Sequence, residues 1–144
     1  MGKKKIITKE GESNEGVAKT TSVARAPKKK ITTVTLHVEA TFNNTKVVVS
    51  DNAGNTLFWS SAGALGFKGA KKGTPFAATK VGEVLGEKAK VLGIKDFDAV
   101  IKGVGSGREP AIRGFMSHGF ELLGIKDITP VPHNGPKPKK PRRV

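Results

Sequence analysis

Residues 100–120 read Val-Ile-Lys-Gly-Val-Gly-Ser-Gly-Arg-Glu-Pro-Ala-Ile-Arg-Gly-Phe-Met-Ser-His-Gly-Phe. The β-branched pair Val100 and Ile101 gives way to Gly103, Gly105 and Gly107, and Arg108-Glu109-Pro110 then opens a segment whose apolar residues return at helical spacing. The order is strand, glycine loop, helix. Proline is tolerated in a first helical turn because the NH it lacks would have had no intrahelical partner, and Glu109 suits the positive end of the dipole. Free NH groups at such a start, beside Arg108, favour a phosphate. The spacing Gly-x-Gly-x-Gly is neither the dinucleotide fingerprint Gly-x-Gly-x-x-Gly nor a P-loop, since no Gly-Lys-Ser/Thr closes it. A nucleic-acid phosphate therefore suits the loop better than a bound nucleotide. For the loop alone, a tight turn without a ligand is the competing reading.

Upstream, apolar residues alternate through Val34, Leu36 and Val38, continue at Phe42, and restart as Lys46-Val47-Val48-Val49-Ser50 after Asn43-Asn44-Thr45. This predicts a β-hairpin whose turn uses asparagine to tolerate positive φ. A second turn signal at residues 51–55 precedes a third strand over residues 56–60, Thr-Leu-Phe-Trp-Ser. Trp59 sits within a strand pattern, so core packing is favoured for it over base stacking. A glycine-rich basic loop over residues 62–73 leads to Thr74-Pro75, which marks the start of a helix running to about Leu92. Its inward face is Ala77, Val81, Val84, Leu85, Ala89 and Leu92, and Gly82 and Gly86 imply close approach of the helix backbone to the sheet. The second helix is expected to turn Ile112, Phe115, Met116, Phe120 and Leu123 inward. Leu92-Gly93-Ile94-Lys95-Asp96 recurs as Leu123-Gly124-Ile125-Lys126-Asp127. Both copies read as helix caps followed by strands, over residues 97–101 and 128–131.

The fold class is thus α/β, a five-stranded mixed sheet in the order β-β-β-α-β-α-β. Strands joined through a helix within one sheet run parallel, and two hairpin reversals make the first strand parallel to the third. The C-terminal ends of strands one, three, four and five then share one edge, where open α/β sheets place their ligands. At that edge lie Asn43, Asn44 and Thr45, the loop of Lys68, Lys71 and Lys72, the loop from Gly103 through Gly105 and Gly107 to Arg108, and the root of the C-terminal tail.

Charge is distributed to match. Of the net +14, residues 1–30 carry +6 and residues 132–144 carry +5, which leaves only +3 for the 101 residues between. A nearly balanced core with two basic arms is the footprint of a protein that grips a polyanion. The chain divides into a flexible basic arm over residues 1–30, one α/β domain over residues 31–131 and a basic tail over residues 132–144, both tails being expected to be disordered when free. With no cysteine, disulfides, thiolate metal sites and a cysteine nucleophile are excluded. No apolar run approaches the roughly 18 residues of a membrane span, and neither tail has an amphipathic face to anchor it on a membrane surface. Lys3, Lys4 and Lys5 precede no apolar stretch of the secretory type, so export is not expected. No cofactor, metal or small-molecule substrate is implied.

Four words of sequence, in order and spacing, carry a resemblance. They are His37-Val38-Glu39-Ala40-Thr41-Phe42-Asn43-Asn44-Thr45, Thr74-Pro75-Phe76-Ala77-Ala78, Gly103-Val104-Gly105-Ser106-Gly107-Arg108-Glu109 and Asp127-Ile128-Thr129-Pro130-Val131-Pro132-His133-Asn134-Gly135. Over about residues 31–144 the chain resembles the bacterial-type ribosomal small-subunit protein eleven family. The resemblance implies a ribonuclease-H-like sheet and a structural place on the platform of the small ribosomal subunit. There the chain would bind small-subunit (16S-type) ribosomal RNA and help line the messenger-RNA exit path in the cytoplasm. The neighbouring platform proteins it implies are six, seven, eighteen and twenty-one. The RNA-binding residues expected are those of the edge together with Arg113, His133, Asn134, Gly135, Lys137, Lys139, Lys140, Arg142 and Arg143. The chain departs from the family's usual pattern at Val104 and Ser106, where prolines are common, at Pro136, where cysteine is common, and in its longer N-terminal arm. The prolines' absence predicts a less rigid loop.

Asn134-Gly135 is also the bond most prone to isoaspartate formation, because glycine has no side chain to block attack of its amide nitrogen on the asparagine. An enzyme is the rival class, since ribonuclease-H-like sheets can carry nucleases, but two-metal chemistry needs converging carboxylates. The strands as predicted offer Glu39, with Asp98 at the start of the fourth. His37, His118 and His133 are scattered, with His118 placed near the exposed face of a helix. A non-ribosomal RNA chaperone is the stronger alternative, because basic tails alone would permit it.

Overall fold

The computed structural model describes residues 30–141 and 143; the basic arm other than Lys30, together with Arg142, lies outside the described residues. The elements are β1 (Thr33–Ala40), β2 (Thr45–Ser50), β3 (Thr56–Ser61), a 3₁₀ turn (Gly69–Gly73), α1 (Pro75–Val91), β4 (Asp96–Gly103), α2 (Arg108–Met116) and β5 (Glu121–Asp127). They form one five-stranded sheet in the order β3-β2-β1-β4-β5. β2 runs antiparallel to both its neighbours, while β1, β4 and β5 are mutually parallel. The mixed sheet and the shared C-terminal edge are therefore as the sequence predicts.

Successive strand residues point to opposite faces. Val34, Leu36 and Val38 of β1, Val47 and Val49 of β2, and Phe97, Ala99 and Ile101 of β4 point to one face, where they form the core with Ala77, Ala78, Val81, Leu85 and Ala89 of α1 and Ala111, Ile112 and Phe115 of α2. The other face carries His37, Lys46, Asp98 and Lys102, all exposed.

Trp59 belongs to that open face. Three large apolar residues in a row, Leu57-Phe58-Trp59, leave the alternation ambiguous, and pairing decides it. Phe58 lies opposite Val49 on the helix side and Trp59 opposite Val48 on the open side, so the expected core role passes to Phe58. Phe42 likewise leaves the alternation: it sits past the end of β1 and is 77 % exposed.

α1 begins as read. The Thr74 hydroxyl accepts from the Ala77 NH at 3.4 Å, and Pro75 fills the first helical position. Its end is a Schellman cap, with Gly93 NH on the Lys90 carbonyl, Ile94 NH on the Ala89 carbonyl, and Gly93 at φ 76.

The second copy of that pentapeptide behaves differently. α2 stops at Met116 and is followed by Gly119 at φ 90, so Leu123-Gly124-Ile125-Lys126-Asp127 lies inside β5. The fifth strand is thus several residues earlier than the predicted 128–131. Leu123 is exposed, Met116 is 40 % exposed, and of the expected inward residues beyond Phe115 only Phe120 is buried, stacked at 4.7 Å on Phe115.

The helical glycines do mark close approach, but to α2 and not to the sheet. A side chain on Gly82 would run into the backbone at Ala111 and Phe115, one on Gly114 into the Thr79 carbonyl, and one on Gly86 into the His118 ring. His118 is therefore half-buried against α1 at Gly86, past the end of α2, rather than displayed on a helix surface.

Candidate nucleic-acid interface

The edge is built from three loops that lock together. In the β1–β2 turn, Thr41 NH donates to the Asn44 carbonyl at 2.8 Å, and the Thr41 hydroxyl accepts from Asn44 NH at 3.1 Å, so hydrogen bonds of Thr41 close the turn and neither Asn43 nor Asn44 takes the expected positive φ. In the β4–α2 loop, Gly105 NH donates to the Ala40 carbonyl at 2.9 Å, and the Ser106 hydroxyl donates to the Gly73 carbonyl at 2.9 Å. Ser106, which departs from the resembled pattern, thus tethers its loop to the end of the 3₁₀ turn.

The three loop glycines are packing residues. A Cβ on Gly103, Gly105 or Gly107 would collide with Ala40, with Thr41 and with the Thr45 hydroxyl respectively, and Gly105 and Gly107 are buried. Packing thus fixes the glycine loop in the floor of the edge. Thr45 is fully buried beneath Gly107, so it supports the loop and cannot reach a ligand, and Asn44 is half-buried with its side-chain oxygen enclosed. Asn43, Lys68 and Lys71 are exposed, while Lys72 is half-buried with its stem over Gly63.

Arg108 is engaged within the protein. Its guanidinium donates to the Gly103 carbonyl, reaches the Thr129 hydroxyl at 3.4 Å, and pairs with Asp127. The Thr129 hydroxyl and NH both donate to Asp127, at 2.6 and 2.9 Å. The two Thr129 bonds first, then Arg108, hold the Asp127 carboxyl down at about 2. Arg108 therefore fastens the end of β4 to the end of β5 and is not a free phosphate ligand. Arg113, 77 % exposed, pairs with Glu109 one turn away. The first turn of α2 has no capping side chain, because its N-cap is Gly107.

This clamp carries a measurable consequence. Arg108→Glu removes three acceptors' partner and sets a carboxylate against Asp127. The expected loss is about 1–2 kcal/mol, the low side of the range for charged hydrogen bonds because solvent screens a partly exposed pair. The Asp127 contribution has a defined sign: a carboxyl lowered from 3.8 to about 2 stabilises fully above its unfolded pKa, and that stability is lost as pH falls through the folded value. The melting-temperature gap between wild type and Asp127→Asn should be constant above about pH 5 and close between pH 4 and 2. A gap independent of pH would show that Asp127 is not held this way.

From β5 the chain leaves along the same edge, with Ile128 NH on the Ile101 carbonyl at 2.9 Å. His133, Asn134, Gly135, Lys137, Lys139, Lys140 and Arg143 are all exposed, and Asn134 adopts φ 52. Two exposed aromatic residues at the edge were not legible in the sequence. Phe42 at the hairpin tip and Phe76 at the start of α1 are 77 and 63 % exposed. Phe76 meets Phe67 edge-on at 6.1 Å and has the Lys80 ammonium 5.7 Å from its ring. Their signal was adjacency to turn and cap residues, where an aromatic is not forced inward.

The strands hold more acids than predicted: besides Glu39 and Asp98, Asp96 lies in β4 and Glu121 and Asp127 in β5. Among the described residues no three His, Asp or Glu side chains cluster closely enough to hold a metal ion.

The family model described as Ribosomal protein S11 matches residues 34–143, which is most of the chain and all of its sheet but Thr33. The chain belongs to the ribosomal protein S11 family. Members of the S11 family are structural proteins of the small ribosomal subunit that bind its RNA, and this chain is such a protein. The matched span includes all three interlocked loops and the tail to Arg143. No helix among the described residues is long and apolar enough to cross a membrane.

Proposed function

We propose that this S11-family protein grips small-subunit ribosomal RNA across the C-terminal edge of its sheet, at the platform, where it helps line the messenger-RNA exit path. On this reading Asn43, Lys68, Lys71, Lys72 and the tail from His133 onward contact RNA, while Thr45, Arg108 and the loop glycines shape the surface they stand on. The neighbours would be platform proteins six, seven, eighteen and twenty-one, in a cytoplasmic, bacterial-type ribosome. The observation that carries the proposal is the convergence of three mutually tethered loops, exposed lysines and the basic tail on one edge. Phosphate contacts from such a surface give orientation as well as affinity.

Lys71→Glu with Lys72→Glu tests it against Lys88→Glu with Lys95→Glu, which make the same charge change on exposed residues away from that edge. The first pair should lower the slope of log affinity against log salt by roughly 1.4–1.8, at 0.7–0.9 per phosphate lost. The second pair should leave the slope near wild type. Equal losses would mean that diffuse charge holds the RNA and that the edge is wrongly assigned. The RNA chaperone reading is separated by what co-purifies with the protein: stoichiometric small-subunit RNA against mixed nucleic acid.

Isoaspartate at Asn134 is part of the same proposal. The exposed Asn134-Gly135 bond should become a methyl acceptor for an isoaspartate-specific methyltransferase as the purified protein ages. Asn134→Ala should abolish the signal, and aged wild type without one would end the idea.

A further inference from the structure

Trp59 is the only tryptophan in a chain without tyrosine, and it stands 58 % exposed on the sheet face that no described element covers. Register fixes its surroundings. Along its row lie Val48, His37, Val100 and Lys126. The adjacent row, nearer the RNA-binding edge, holds Ser61, Lys46, Glu39 and Lys102, and the row beyond holds Ser50, Thr35 and Asp98. Lys46 pairs with Glu39 at 3.3 Å, while Lys102 and Lys126 form no ion pair among the described residues. His37 is held in place by the Ser50 hydroxyl at 2.9 Å.

An open sheet face with an exposed indole in one row and lysines in the next combines the two parts a single-stranded RNA site needs: cations that follow phosphates and a π-face that takes a base. It also adjoins the edge. Trp59 precedes Ser61, at the C-terminal end of β3, by two residues or about 7 Å. RNA held by the edge loops therefore reaches the indole without a gap. A protein neighbour is the other conceivable occupant, but the cores of protein interfaces are depleted in lysine, and here Lys46 and Lys102 line the apolar row on the side toward the edge while Lys126 ends it.

We propose that the open face takes an unpaired RNA base stacked on Trp59, with Lys102, which forms no ion pair among the described residues, holding a phosphate further along the same RNA strand. This rests on the RNA-binding reading of the edge and adds to it a place where a base, and not only backbone, is held.

The sole tryptophan makes the test direct. The full chain is titrated with an unstructured RNA of about 12 nucleotides, within the usual site sizes of single-strand binders, and with an abasic strand of equal length. Binding is followed by anisotropy of the labelled strand, and Trp59 emission is recorded in parallel. The RNA should quench the emission with the same midpoint as the anisotropy, and the abasic strand should bind while leaving the emission unchanged. Trp59→Ala should weaken RNA binding by about 5- to 150-fold, the span measured for single base stacks, with no effect on the abasic strand, and Trp59→Phe should retain most of the affinity. Binding without quenching, or equal quenching by both strands, would overturn the proposal and leave the edge standing; the first is also the outcome if a protein covers this face. Absence of binding by anisotropy would instead overturn the edge itself. The wild-type comparison decides the matter even if a variant folds poorly.

Discussion

Removing residues 1–30 and 136–144 should cost this protein most of its affinity for small-subunit RNA while leaving its folding cooperative. The first segment carries a net +6, and Lys137, Lys139, Lys140, Arg142 and Arg143 all fall in the second. If about six of those cations neutralise phosphates, the slope of log affinity against log salt falls by about 4–5. No single substitution on the edge approaches that effect. Unfolding should remain one cooperative transition, because the core lies wholly between Val34 and Phe120. Two measurements on one truncated protein check both halves, salt-dependent RNA binding and thermal melting. An unchanged slope would mean that the tails do not meet phosphate, and a lost transition would mean that they support the fold.

Gly82→Ala should destabilise the protein, against what helix propensity alone says. In an exposed helix the change gains about 1 kcal/mol. Here the new methyl meets the Ala111 carbonyl and the Phe115 nitrogen, which are backbone atoms of α2 with no rotamer to escape into. Overpacking of this kind costs about 1–3 kcal/mol, and rigid partners place it at the upper end. The net loss is then about 2 kcal/mol, or roughly 6–10 °C in melting temperature for a domain of this size. Gly86→Ala should lose less, because its obstacle is the His118 side chain, which can swing aside. A Gly82→Ala protein that melts at or above wild type would show that the helices separate freely, and that their close crossing does not set the stability.

Much of this architecture was legible because the signals are local and redundant. Alternation in Val34, Leu36 and Val38, Thr74 and Pro75 at a helix start, and Gly93 at its end each follow from the chemistry of a few neighbouring residues; a turn at Asn43-Asn44 was legible too, though not the positive φ expected of its asparagines. Strand polarity then followed from connectivity, and with it the edge on which the loops and the tail converge. The tail's charge, which directs the protein to a polyanion, needs no fold to be read.

What the tertiary structure alone decided concerns positions where local chemistry is neutral. Leu-Gly-Ile-Lys-Asp is a helix cap at residues 92–96 and strand interior at residues 123–127, because the free edge of β4 offers the second copy a ladder of backbone partners and α2 has already ended. Phe58 and Trp59 compete for one inward place, and the pairing of β3 with β2 gives it to Phe58. Gly103, Gly105 and Gly107 look like a phosphate loop in sequence, yet the close approach of the β1 end makes them necessary as packing residues. Arg108 looks like a free cation until Asp127 and Thr129, about 20 residues on, arrive beside it and turn it into the fastening between two strand ends. In each case the deciding partner is distant along the chain and adjacent in space, which is information that a window of neighbouring residues does not contain.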